Sequence, residues 1–259
     1  MNMTAWRRDR RLPGAAVLRG LAVPLALFVL WQLAGRQSAA DAGRALERAV
    51  WIHRTEAGLG LPDEAAWQRM ALPHPSLLMT ANSYYAVIHV ATMAGLLIWV
   101  FFRHRQYYRR VRNTVALVTA GCLLMQFIPV APPRILRHEG FVDVATVHGQ
   151  SIFGRPIAGI VVNEYAAMPS MHIAWCVLVA AAAARIAGSP WRWLGAVHAA
   201  ITLVVVVVTA NHFWADCIMA VMLVFVGHTA QTGVVAVRRR QARSAGTSDR
   251  VTAADPDSG

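Results

Sequence analysis

The chain contains no lysine: all 25 of its basic residues are arginine, against 13 acids, for a net charge of +12. Charge of either sign is sparse, at 15% of residues where soluble domains carry about 25%. Cysteine is scarce as well. The three present, Cys122, Cys176 and Cys217, sit in apolar runs without metal-ligand spacing, and an odd number cannot all pair within the chain. A small disulfide scaffold is therefore excluded. Apolar residues fill the space instead, at 56% of 259, with a mean hydropathy of +0.42. That excludes a disordered or collagen-like chain and leaves a very apolar globular domain or an integral membrane protein.

Six gaps of 16 to 33 residues separate charged side chains. A helix needs about 20 apolar residues to cross a hydrocarbon core. The gaps predict an all-α, polytopic membrane protein, a six-helix transmembrane bundle with spans at 15–35, 82–102, 113–131, 168–187, 193–211 and 214–236. The first span contains Arg19 and Pro24, and its length would suit a signal-peptide core. No convincing small-residue cleavage site follows Gly35, so it reads as a retained span.

Arginine placement then sets orientation. Counting Arg19 and Arg185 at the ends of their spans, seventeen arginines lie at or before the start of the first span, after the sixth, or where spans two and three and spans four and five join, leaving 8 on the opposite side. The positive-inside rule puts both termini in the cytoplasm. The basic charge is a topology signal, and nucleic acid drops out as a partner. The expected organisation is a basic cytoplasmic N-terminus (1–14), a membrane catalytic domain (15–236, with its motifs in 80–230) and a disordered cytoplasmic tail (237–259). Residues 36–81 read as a pair of amphipathic, extracytoplasmic interfacial helices broken near Gly58–Pro62, and 132–167 as an outer loop.

Ionisable groups inside a bundle are expensive, so each is a functional candidate. His172 begins span four and His212 ends span five. Two crossings return the chain to the same face, which puts both histidines at similar depth on the outer side. Asp216 follows His212 by one helical turn and shares its face. A carboxylate there can fix the ring's tautomer and prime a nucleophile or base, or it can simply cap the helix. Pro169 suits a first turn, so that Ser170, Met171 and His172 offer N–H groups to a phosphate at a helix start. Arg134, just beyond span three, reads as a bidentate phosphate ligand or as a snorkelling interfacial arginine. His89 faces either the bundle or the interface, whereas His198 and His228 read as structural.

These residues carry a resemblance. Pro169-Ser-Met-His172 and Asn211-His-Phe-Trp-Ala-Asp216 resemble the second and third signature motifs of the type 2 phosphatidic acid phosphatase superfamily. Asn82-Ser-Tyr-Tyr-Ala-Val-Ile-His89, Pro129-Val-Ala-Pro-Pro-Arg134, Gly140-Phe-Val-Asp143 and Tyr165-Ala-Ala-Met168 add a likeness to its inositol phosphorylceramide synthase-like branch. The resemblance implies a metal-independent enzyme with His212 as nucleophile and a phosphohistidine intermediate. Asp216 would orient it and His172 would protonate the leaving oxygen. Arg134, Ser170, His89 and Tyr85 complete the candidate site as substrate-binding residues. The family's first motif carries a lysine, absent here, and its arginine six residues before the third-motif histidine is Val206. Fewer cations favour a singly charged phosphodiester.

The expectation is thus a membrane-embedded, inositolphosphotransferase-like lipid phosphotransferase of the cell membrane, acting at the outer face on a lipid phosphate or phosphodiester, with no cofactor. Hydrolysis of a lipid or isoprenoid phosphate is the alternative within the class. From another class, the same histidines would suit a transporter or a haem-binding bundle. The first would more often show inverted repeats, and the second has no use for Asp216 and Arg134.

Overall fold

The computed structural model describes residues 14–151, 163–188, 190 and 192–253. Outside them lie residues 1–13 of the expected N-terminal segment, 152–162 of the second outer loop and 254–259 of the tail. Among the described residues every regular element is helical, apart from one isolated parallel bridge between Val130 and Ala166.

Six helices fall where the uncharged gaps lie: α1 (Gly14–Ala40), α4 (Pro75–Arg103), α5 (Arg105–Met125), α7 (Met171–Ile186), α8 (Arg192–Val208) and α9 (Trp214–Ala253). Between the first two, α2 (Ala42–Gly58) and α3 (Glu64–Ala71) form a hairpin whose turn passes through Gly60 at φ +72°, a left-handed value that suits glycine. The stretch after α5 holds two short 3₁₀ turns, Pro133–Ile135 and Arg137–Glu139, and α6 (Val144–Val147).

Helix ends differ from the gap ends for physical reasons. α4 starts at Pro75, where a proline in the first turn has no N–H to leave unpaired. α5 starts at Arg105 and α9 continues to Ala253, because arginine, glutamine and alanine favour helix as well as solvent. Charge marks the end of an apolar gap but not of a helix. α7 starts at Met171, with the Ser170 hydroxyl accepting the Ile173 N–H at 3.3 Å, so Pro169 precedes the cap rather than filling the first turn.

One core joins α4, α5, α7, α8 and α9 through Met93, Val100, Cys122, Ile173, Val206 and Ala220. All three cysteines are free and buried. Small residues let the helices close. A Cβ on Gly195 of α8 would stand 2.7 Å from the Ala180 Cα of α7, and one on Gly227 of α9 would stand 2.7 Å from Val118 Cγ2 of α5. Meanwhile Leu25, Val87, Ile98, Phe102, Val204 and Phe225 face outward. Two helical stretches, Pro75–Arg103 and Trp214–Gly233, are long and apolar enough to cross a membrane, and α7 and α8 are shorter apolar helices. A second core lies at one end of the bundle, where Ala45, Ala49 and Ile52 of α2 meet Val130, Phe141, Ala167 and Phe213 from the loops. The candidate site is built against that end.

Candidate active site

The chain leaves α8 at Val208 and enters α9 at Trp214. In between, Ala210 takes φ +51°, a left-handed conformation that costs a non-glycine residue roughly 1–2 kcal/mol. The surroundings hold it there. The Asn211 and His212 N–H groups both return to the Val206 carbonyl, at 3.0 and 3.2 Å, and the Ala210 carbonyl accepts the Arg134 N–H at 2.8 Å. This last bond brings the loop after α5 against the turn, and Arg134 Nη1 donates to Asn211 Oδ1 at 2.7 Å.

His212 follows directly. Its Nδ1 lies 2.9 Å from the Ala167 carbonyl oxygen and 3.4 Å from Asp216 Oδ2. A carbonyl only accepts, so Nδ1 carries the hydrogen and Nε2 keeps its lone pair. Nε2 is buried and has no hydrogen-bond partner among the described residues. Asp216, fully buried, also accepts the Phe213 N–H at 2.9 Å through the same Oδ2. Asp216 thus both caps the start of α9 and faces the His212 ring.

His172 reaches the same place from α7, its ring centroid 5.7 Å from that of His212. It sits between two rings of α4: Tyr85 stacks on it at 3.9 Å and 18°, and His89 lies 3.9 Å away. His89 Nδ1 is 3.0 Å from the Tyr85 carbonyl, which fixes its hydrogen on that nitrogen. His172, His212, Arg134, Tyr85 and His89 all line one cavity of about 260 Å³, to which α1 contributes Trp31 and the loops contribute Asn163, Glu164 and Asn211. Depth on two returning spans, read from chain length, thus corresponds to a shared cavity.

Arg134 is 2% exposed and stands 3.7 Å from Glu164 Oε1 and 3.9 Å from Asp143 Oδ2. Burial pulls its guanidinium below the usual range, while Tyr85, Asp143 and Glu164 pull the other way, and an arginine stays charged regardless. Ser170 differs from expectation. Its hydroxyl is used as the α7 cap, and its N–H donates to the Asp216 carbonyl at 3.2 Å rather than standing open to a phosphate. Ser170 therefore ties α7 to α9 behind the cavity. His198 is held through both nitrogens, by Tyr84 Oη at 2.6 Å and Thr92 Oγ1 at 3.2 Å, and His228 lines a different cavity beside Arg110 and Arg185.

Two carboxylates escaped the sequence reading. Glu56 and Glu64 of the α2–α3 hairpin are 3% and 1% exposed and accept backbone N–H groups just after His212. Acids on amphipathic helices read as solvated, and nothing in sequence spacing links them to residues so far along the chain.

Two facing histidines, one backed by a carboxylate, with a guanidinium across a cavity this size, are equipment for handling a phosphate ester. The sequence pattern of the PAP2 superfamily matches residues 50–230, and the chain belongs to that superfamily of phosphatases and phosphotransferases. No curated protein and no solved structure matches the chain.

Proposed function

We propose that this protein is a six-span membrane phosphotransferase of the inositol phosphorylceramide synthase-like branch, acting on a lipid phosphodiester at the extracytoplasmic face. The observation that carries the reading is His212, whose Nδ1 hydrogen is committed to Ala167 and faces Asp216 while buried Nε2 lacks a partner beside His172. The membrane setting is supported by two helices of spanning length, two shorter apolar ones and an outward face rich in large apolar side chains. The phosphodiester is supported by Arg134, the single arginine among the described cavity-lining residues, which already faces two acids.

In the proposed reaction His212 Nε2 attacks phosphorus as the ester P–O bond breaks. His172 gives its proton to the departing oxygen, and Asp216 stabilises the charge gained by the His212 ring. Arg134 holds the non-bridging oxygens in the geometry a phosphate demands. An acceptor alcohol then attacks the phosphohistidine and returns its proton to His172, which leaves a new phosphodiester and free His212. Water in place of the alcohol would give hydrolysis by the same groups. None of these steps calls on a metal.

Purified protein incubated with radiolabelled phosphatidylinositol and a panel of lipid alcohols should transfer label to an alcohol. Release of free inositol phosphate alone would make the protein a phosphodiesterase, with water in place of the alcohol. Acid-labile, base-stable phosphate on the wild type and none on His212→Ala is the expected trapping result, and absence of both transfer and release would remove the reading.

A further inference from the structure

Behind His212 three consecutive backbone N–H groups are each taken by a different carboxylate. Phe213 donates to Asp216 at 2.9 Å, Trp214 to Glu64 Oε1 at 3.2 Å and Ala215 to Glu56 Oε1 at 2.5 Å. Asp216 is local, but Glu64 and Glu56 lie 150 and 159 residues earlier in the chain. The hairpin that carries them holds Trp214 twice more, through the Pro62 carbonyl, which accepts the indole N–H at 2.8 Å, and through Trp67, edge-on at 5.6 Å. It also holds the other two loops of the site. Arg48 donates to the Pro129 carbonyl at 2.9 Å, ahead of Arg134, and the Gln68 amide pairs with both backbone groups of Val142, next to Asp143.

A helix start leaves its first four N–H groups without intrahelical partners, and at an exposed end water would satisfy them, whereas here two distant, buried acids do. Burying two further acids is costly unless each is paired. With both ionised, buried Glu56 Oε2 has no partner. A proton on Glu56, donated to the adjacent Glu64, satisfies both and leaves the pair with one negative charge facing the positive end of α9. Consistently, burial and then Glu64 push the Glu56 carboxyl from its ordinary 4.5 up to about 9. The other titratable groups facing the pair are His53, whose Nδ1 is 4.0 Å from Glu64 Oε2, and Asp216 and Cys217 of α9.

We propose that Glu56 and Glu64 are positioning residues for His212: a carboxyl–carboxylate pair that clamps Trp214 and Ala215 and so fixes the direction in which Nε2 meets phosphorus. The proposal rests on His212 as nucleophile. It separates the acids from ordinary caps, because glutamine at position 56 keeps both the acceptor for Ala215 and a donor for Glu64, whereas alanine keeps neither.

The test uses the purified full-length protein with bis(para-nitrophenyl) phosphate, together with amide exchange over residues 213–216. In Glu56→Ala, kcat should fall about a hundred-fold with little change in KM, since a displacement of about 1 Å in a reacting group costs that much. The 213–216 amides should exchange faster. Glu56→Gln should keep the wild-type kcat and wild-type exchange. The sign of the pH effect follows from the raised pKa. The folded state holds the Glu56 proton between pH 4.5 and about 9, so this group's contribution to stability is complete below that window and is lost as pH rises through it. Wild-type activity and melting temperature should therefore fall toward pH 9, and Glu56→Gln should lack that alkaline fall. A folded Glu56→Ala with wild-type kcat, or a Glu56→Gln as impaired as the alanine variant, would overturn the proposal. Should Glu56→Ala not fold, Glu56→Asp, one methylene short of Ala215, carries the same expectations. If the wild type cleaves no phosphate ester at all, the functional reading falls by itself. Amide exchange then decides the clamp, with unchanged exchange in the folded variant counting against it.

Discussion

As the proposed nucleophile, His212 has one ring nitrogen tied and the other left open, and it is tied by a carbonyl rather than by its carboxylate alone. The 2.9 Å contact to Ala167 sets the tautomer, and Asp216 at 3.4 Å adds charge stabilisation. This division has a kinetic consequence. His212→Ala should abolish phosphoenzyme formation, because no other group takes its place. His172→Ala should lose only leaving-group protonation, about 10²–10⁴-fold on an alkyl ester, and should recover on a nitrophenyl ester, whose leaving group needs no proton. Rates measured on both esters check the order, and equal recovery of the two variants would mean that neither histidine is the covalent nucleophile. At this scale the sequence was most legible in spacing: His212 and Asp216, one turn apart, are in contact, and His172, two helices back, lies against His212. Ser170 was misjudged because a cap position also has an N–H, and the Asp216 carbonyl had reached it first.

Helices were legible through their lack of charge, and their closeness was not. Nothing in the composition of α8 marks Gly195 as the residue that lets α7 approach, yet a methyl group there would overlap Ala180. α7 carries His172 and α8 leads into His212, so the crossing sets the gap between the two rings. Gly195→Val should cost about 1–3 kcal/mol in overpacking. It should also lower kcat while leaving the cavity's own residues intact, as thermal unfolding and steady-state rates on one preparation will show. Gly43→Val is the control, because no atom lies within 4 Å of the Cβ position there. The helical pair α2–α3 and the position of its break were legible in the sequence. Its inward acids were not foreseen, because an amphipathic pattern tells which face is polar and not what that face touches.

For the whole molecule, the 17-to-8 division of arginines is a statement about sidedness. With Cys122, Cys176 and Cys217 replaced, single cysteines placed in 36–81 or 132–151 should react with a membrane-impermeant thiol reagent in intact cells. One placed between Arg103 and Arg112 should not. Labelling of the 103–112 stretch would invert the protein and move its cavity to the cytoplasm. The long reach of Glu56 and Glu64 carries a further consequence, one of biosynthesis. A chain made from its N-terminus completes α2 and α3 long before Trp214 and Ala215 exist, so two acids wait beside an apolar core for donors supplied by the last helix. Until α9 arrives the two carboxylates lack the Trp214 and Ala215 N–H groups that they accept in the finished fold, and an acid short of donors costs most in a water-poor setting. A product ending after α8 should therefore be degraded much faster than full-length protein in a pulse–chase experiment. Glu56→Gln together with Glu64→Gln should lengthen its life, so that the acids guarding the site also report whether the chain is finished.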